Sequence, residues 1–366
     1  MNALKLTSHF GERSRLHGRL LADDLLDIQG RHQIRASILL RGIQGFGAKH
    51  HRRTDRLLTL SEDLPLVSIA IDAPAKIEAL AAEIAAIDHV GLLTVERLRF
   101  PEARGTGPIS ADGGPATDDE SVKLTVHLGR HERIDGQPAF AAVCRLLHER
   151  GVAGATVVLG VDGTREGVRE RARFFARNTH VPMMVMAVGD APRIGQAVSD
   201  LRQALPRSLL TIERVTVCKR DGELLQDPAD GAGRAPGADL SIGAPASTAS
   251  DARAGQRWQR LTIVTSEAAR HEGKPVYLEL IRRLRASRAA GATSLRGIWG
   301  FHGDHAPHGD RLLSIRRHVP VVTDVIDTSE RIAALFPIVD ELTRERGLVT
   351  SELLPRPPIA GRAGSL

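Results

Sequence analysis

Lys5-Leu6-Thr7 returns as Lys123-Leu124-Thr125 and again as Arg260-Leu261-Thr262, and thirteen residues after each opening stands a glycine: Gly18, Gly136 and Gly273. The agreement continues outward. Further glycines follow at Gly42, Gly160 and Gly297, and three residues beyond those at Gly45, Gly163 and Gly300. A proline then opens an apolar run in every copy, at Pro65, Pro182 and Pro320, and the series extends through Ile77, Ile194 and Ile332 to Thr94, Thr211 and Thr350. Self-similarity at fixed spacing is the signature of a tandem array. The 366 residues exceed what one ordinary core organises, and they divide into three copies of one domain, at residues 1–101, 122–219 and 257–355. The stretches 102–121 and 220–256 are rich in Gly, Ala, Pro, Ser and Asp and read as flexible linkers. The longer one, treated as a coil, spans roughly 35 Å, enough to carry the chain across a small domain. Residues 356–366 read as a frayed tail.

Within the first copy, Leu4–Phe10 reads as a strand and Leu20–Ile28 as a helix, from the change in apolar spacing. Ala36–Leu40 is a short buried strand that ends at Gly42, followed by a Gly-rich bend and a polar loop through Arg53. Arg56–Leu60 and Leu66–Ile71 form one long strand bulged near Asp63-Leu64-Pro65, since proline cannot donate to a ladder. Pro74 opens a second helix with Ile77, Leu80, Ala81 and Ile84 on one face, and Leu92–Phe100 closes the unit. The order βαββαβ is a split βαβ sandwich with both helices on one face of an antiparallel sheet. The opposite face needs cover, which three sheets around a pseudo-threefold axis supply. The expected class is therefore α+β: three ferredoxin-like domains, alpha-beta plaits, forming an intramolecular pseudo-trimer.

Composition narrows the function. Hydrophobic residues make up 42% and aromatic ones 3%, so the cores must be filled by Leu, Ile, Val and Ala. No apolar run is long enough to span a membrane, and Met1–Phe10 lacks an export signal, so a cytoplasmic protein is expected. The net charge is +6, but the arginines are scattered among acids, and no helix-turn-helix, zinc finger or aromatic-basic platform is present. No nucleic-acid partner is expected. Cys144 and Cys218 are the two cysteines and read as packing residues, not a disulfide or thiolate site. The strand-opening bases Lys5, Lys123 and Arg260 read as exposed strand ends.

The segments Phe10-Gly11-Glu12 with His17-Gly18-Arg19, Leu40-Arg41-Gly42-Ile43-Gln44-Gly45-Phe46-Gly47, Leu57–Pro65 and Gly91–Glu96 resemble the PII-like family called domain of unknown function 190. Copy three matches well through Leu295-Arg296-Gly297-Ile298-Trp299-Gly300-Phe301. Copy two diverges, with Leu159-Gly160-Val161-Asp162-Gly163, lacking the arginine before the first glycine and the phenylalanine after the second. The resemblance implies a regulatory protein that binds an adenine nucleotide or similar small effector in clefts between domains and signals through loops. It also implies a protein target, with a fluoride-export or other membrane transporter as one case. A scaffold docking on such a target without any small ligand is the alternative. The loss of Arg and Phe in copy two makes the clefts inequivalent, so fewer than three should fill.

Gly42, Gly45 and Gly47, with Gly297 and Gly300 in copy three, could bring backbone N–H groups close to an anion, or could simply permit the bend. Arg41 and Arg296 precede two of these bends. Arg56, Arg173 and Arg311 recur after the loop, where a guanidinium could reach a phosphate or form a structural ion pair. His302, His305 and His308 lie with Asp304 and Asp310 on one loop, a weak metal candidate. No nucleophile elbow, Walker loop or paired-carboxylate motif is present, and nothing reactive recurs in all three copies, so catalysis is not expected.

Overall fold

A strand turns successive side chains to opposite faces. In the opening strand Asn2–Gly11, Leu4, Leu6 and Phe10 therefore enter the core beneath the helices while Lys5, Thr7 and His9 take the other face. The computed structural model describes residues 1–47, 52–54, 63–87, 90–101, 109–111, 120–169, 181–231, 256–302, 307–309, 319–355 and 358–360. It is mixed α/β, with antiparallel sheets, six helices of 11–14 residues and one arrangement built three times. Copy one has its opening strand, a first helix Leu21–Arg31, an edge strand Ala36–Arg41, a short arm Gln44–Phe46, an inner strand Pro65–Asp72, a second helix Pro74–Ala85 and a closing strand Leu92–Arg99. In copy two the same elements are Ser121–Gly129, Ala139–Glu149, Gly154–Leu159, Asp162–Arg165, Pro182–Asp190, Ala191–Ala204 and Leu209–Arg214. In copy three they are Trp258–Ser266, Val276–Ala286, Gly291–Arg296, Trp299–His302, Pro320–Thr328, Ser329–Leu342 and Leu348–Leu354.

In every copy the strands lie in the order edge, inner, opening, closing, all antiparallel. The second helix of copy one starts on Pro74 and buries Ile77, Leu80, Ala81 and Ile84, the four residues that its spacing predicts. The recurring Gly18, Gly136 and Gly273 stand in two-residue hairpins between opening strand and first helix, at φ of 86°, 76° and 76°. A side chain is strained at such angles.

The copies are joined by exchange of their arms. The arm of copy two pairs with the edge strand of copy one, Asp162 opposite Leu39. The arm of copy three pairs with copy two, Trp299 opposite Val157, and the arm of copy one pairs with copy three, Phe46 opposite Ala292. Each edge strand that would otherwise lie open is thereby covered, and the exchanges close a circle. At its centre Ile38, Leu40 and Val67 of copy one pack with Val158 and Met184 of copy two and Leu295 of copy three. The sheet faces turned away from the helices thus cover one another.

The segments after the closing strands also cross between copies. Thr216–Arg220 pairs with the closing strand of copy three and places Cys218 in that copy's core. The sequence assigns residues 216–219 to copy two, but their strand completes copy three, and order extends into the expected linker as far as Gly231. Ile359–Ala360, expected to be frayed, pairs with Leu93 and Leu92 of copy one. Among the described residues no helix is long and apolar enough to cross a membrane.

The arm exchange accounts for the paired glycines. A Cβ on Gly42 would lie 2.7 Å from Pro65 Cγ and one on Gly45 2.7 Å from the Ala292 carbonyl oxygen, while one on Gly300 would overlap the Ala155 carbonyl oxygen. Around Gly47 nothing lies within 4 Å. Gly300→Ala should lower unfolding stability by about 1–3 kcal/mol, as overpacking does, and Gly47→Ala should leave it within about 0.5 kcal/mol. Chemical denaturation of both variants checks this, and equal losses would contradict it.

Candidate functional site

The inner faces of the sheets carry charge. Strand register sets Lys5 opposite Glu96, Lys123 opposite Glu213 and Arg260 opposite Glu352, and the circle of copies brings the pairs together. Lys5 Nζ is 2.6 Å from Glu96 and also bonds Glu213, so it bridges copies one and two. Lys123 Nζ lies 3.1 Å from Glu213 and 2.5 Å from Glu352, bridging copies two and three. Arg260 of copy three grips Glu96 of copy one with both terminal nitrogens, at 2.6 and 2.7 Å. Five of the six residues are buried and Lys123 nearly so. Lys5, Lys123 and Arg260 are therefore not exposed strand ends: the face they occupy is polar in sequence but sealed by the neighbouring copies.

Burial pushes the Glu96 carboxyl up, but Arg260, Lys5 and Lys123 outweigh it and hold the group well below the usual carboxylate range. Glu213 is likewise lowered, with Lys123 and Lys5 overcoming burial. Oxygens of Glu96, Glu213 and Glu352 come within 4.8 Å of one another, a spacing that could hold a cation. An ammonium or guanidinium already bonds each of them, so their charge is met by the protein's own side chains.

Four residues beyond the first two cations stand His9 and His127. Their Nε2 atoms are buried without a hydrogen-bond partner. Burial, aided by Arg260, pushes His9 down to about 4. At His127 burial again leads, opposed by Glu213 and aided by Arg165 and Lys5, with the same result of about 4. Val264 takes the third position, and it borders a cavity of about 1090 Å³ at the seam of copies two and three. Met186 and Val188 of copy two and Val264, Val322 and Phe301 of copy three line it, with Arg220, Arg270, Arg344 and Arg346 set among the acids Asp221, Glu341 and Glu345.

The family described as "Uncharacterized ACR", the domain of unknown function 190, matches residues 3–100, 121–217 and 258–355. The chain belongs to this family. A UPF0166 protein of Aquifex aeolicus (strain VF5) is 34% identical over 92 residues, 25% of this chain and 86% of that protein. That relative is thus about one repeat long. The crystal structure of an unknown protein from Galdieria sulphuraria covers 64% of this chain and 97% of its own, at 10% identity and a TM-score of 0.16, a score that carries no argument about the fold.

The family's glycine bend serves the seams. The amides of Gly42 and Gly297 donate to Pro65 and Pro320 at 2.8 and 2.7 Å, and those of Ile43 and Ile298 to Ser294 and Val157 of the neighbouring copy at 2.9 and 2.8 Å. These N–H groups are committed to backbone partners and do not cradle an anion. Gly45 and Gly300 lie within the exchanged strands, and Gly47 stands just past the first arm. Arg41 bonds Glu12 at 2.9 Å and Arg296 bonds Glu267 at 2.5 Å. Copy two has Leu159 and Arg130 in these two places, so both halves of the pair change together, as for a structural ion pair. Arg56, Arg173, Arg311 and His305 lie outside the described residues. His302 borders the cavity, and His308 lies in a two-residue strand against Gly300. Cys144 and Cys218 are both buried, and burial, with Asp227 nearby, pushes the Cys218 thiol up to about 12.

Sequence reading passed over the ring although its signal is present. The opening Lys/Arg-Leu-Thr is matched by a recurring Thr-x-Glu at Thr94–Glu96, Thr211–Glu213 and Thr350–Glu352.

Acid should expose the histidines. An imidazole whose ordinary value is about 6.5 and whose folded value is about 4 stays neutral in the fold while the unfolded chain takes a proton. Stability is therefore full above about pH 6.5 and falls as the pH drops toward 4. Two such groups give a slope approaching about 2.7 kcal/mol per pH unit. His9→Val, which installs the residue of copy three, should roughly halve that slope in pH-dependent denaturation. An unchanged slope would contradict the assignment.

Proposed function

We propose that this chain is a PII-like regulator whose three ferredoxin-like repeats form a pseudo-trimer within one polypeptide. In this reading it takes up a nucleotide or similar small phosphate-bearing anion at an inter-repeat cleft and reports it to a target through the segments that follow the arms. The cavity between copies two and three carries the reading. Two repeats and the extension through Arg220 all contribute to its lining, so an occupant would bear on how the copies sit against each other, which is how a binding event becomes a change of shape. Its apolar wall and a rim where four arginines outnumber Asp221, Glu341 and Glu345 suit a ligand with an uncharged body and an anionic end. The single-repeat length of the Aquifex aeolicus relative fits a family whose members assemble from separate chains what this one carries in tandem. The protein then acts in the cytoplasm by binding rather than catalysis, and its target is another protein, a membrane transporter being one case.

Calorimetric titration of the whole chain with ATP, ADP, AMP and cyclic AMP tests the proposal. Saturable binding of at least one is expected, weakening as salt screens the arginines, with altered protease cleavage between Gly47 and Pro65. Flat titrations with all four would contradict it and favour a scaffold that docks on its target without a ligand.

A further inference from the structure

The repeat places the same positions on the walls of all three clefts, yet the side chains there differ. Between copies one and two, the place of Val264 is taken by buried His127 and that of Ala269 by Glu132. Glu132 accepts from Arg165 at 3.1 Å and from Ser208 at 3.1 Å, which ties the hairpin of copy two to its arm and to the residue before its closing strand. Behind this network Ile71, Leu98 and Phe100 of copy one pack with Leu209 of copy two. Among the described residues these side chains occupy the positions that border the cavity in the next cleft.

Between copies three and one other side chains take those positions. His9 takes the wall position with its Nε2 buried, and Trp258, Ile326 and Leu354 of copy three close over Leu92 of copy one. In copy two the positions of Trp258 and Leu354 are occupied by Ser121 and Val215. No large side chain reaches over the next seam, so Val188 and Leu348, the counterparts of Ile326 and Leu92, border open space with Val264 and Ala269. Among the described residues Arg220, Arg344 and Arg346 form no close ion pair, and all three lie on this cavity beside Asp221, Glu341 and Glu345, with Arg344 near enough to Glu341 to favour its ionised form.

We propose that the chain has one ligand site instead of three, in the cleft between copies two and three, shaped for a nucleotide-sized organic phosphate. It is held open by Val264 and Ala269, and Arg220, Arg344 and Arg346 receive the phosphate. The inference rests on the cleft-binding reading above and adds to it the location, the stoichiometry and the residues that decide both. About 1090 Å³ is just above the usual range of small-molecule pockets, enough for a base, a sugar and more than one phosphate.

Equilibrium dialysis and calorimetry of the full chain with ATP, ADP, AMP and cyclic AMP measure the stoichiometry. One mole of the tightest ligand per chain is expected. Val264→His with Ala269→Glu, the pair native to copy two, should weaken binding at least tenfold. The exposed Arg344→Ala with Arg346→Ala should do the same without touching a core, which keeps the test valid if the first variant folds poorly. His9→Val, in another cleft, should leave affinity unchanged. Two or three moles per chain, or full affinity in the double arginine variant, would overturn the single site and leave the cleft-binding reading standing. No binding of any of the four by the wild-type chain would overturn both.

Discussion

Three cations and three glutamates buried at one place are costly to take out of water, and only their mutual contacts offset that cost. Lys5 and Lys123 each serve a glutamate of their own copy and one of the next, and Arg260 reaches from copy three to copy one. Each copy brings one cation and one glutamate, and the contacts between copies are complete only when all three are in place. Leaving one partner unmatched in such a setting costs about 3–5 kcal/mol: without copy one Arg260 loses Glu96, and without copy two Glu352 loses Lys123. A one-residue slip in any opening strand would turn its cation into the helix core. The ring therefore fixes strand register within each copy and orientation between copies, and the exchanged arms, the central aliphatic cluster and the clefts all follow from that orientation.

Around this shared centre the seams diverge. The arm of copy two is followed by Arg169, which bonds Asp162 at 2.7 Å and Asp23 and Asp27 of copy one at 2.5 and 3.5 Å. The arm of copy three sets Trp299 edge-on to Phe140, centroids 5.9 Å apart, and Phe301 edge-on to His148 at 5.2 Å, both on the first helix of copy two. The arm of copy one buries Phe46 in the core of copy three. An acidic helix face, an aromatic one and an aliphatic one each receive an arm of matching chemistry, so the cyclic order of the copies is written into their contacts. Fusion into one chain allows this, because three identical chains would have three identical seams.

Much of the fold could be read from the sequence because it is local. The period of Ile77, Leu80, Ala81 and Ile84, the proline at the start of their helix and the glycines of the hairpins all depend on neighbours a few residues away. What the sequence concealed is long-range. Lys5, Thr7 and His9 alternate with Leu4, Leu6 and Phe10 as an exposed polar face would, and only the approach of two other sheets turns that face into an interior. Gly42 and Gly297 look like an anion loop until their amides are found on Pro65 and Pro320. Arg41 and Arg296 gain their meaning from Glu12 and Glu267, about thirty residues away. The cavity was least legible, because it comes from Val264 and Ala269 standing where copy one carries His9 and Ser14 and copy two His127 and Glu132.

The central claim is that one chain closes its own circle of three copies. Light scattering coupled to size-exclusion chromatography measures this directly. The account predicts a particle of one chain, 39.5 kDa, at all concentrations and in moderate salt. A particle of three times that mass, with each copy pairing with its counterparts in other chains, would contradict it.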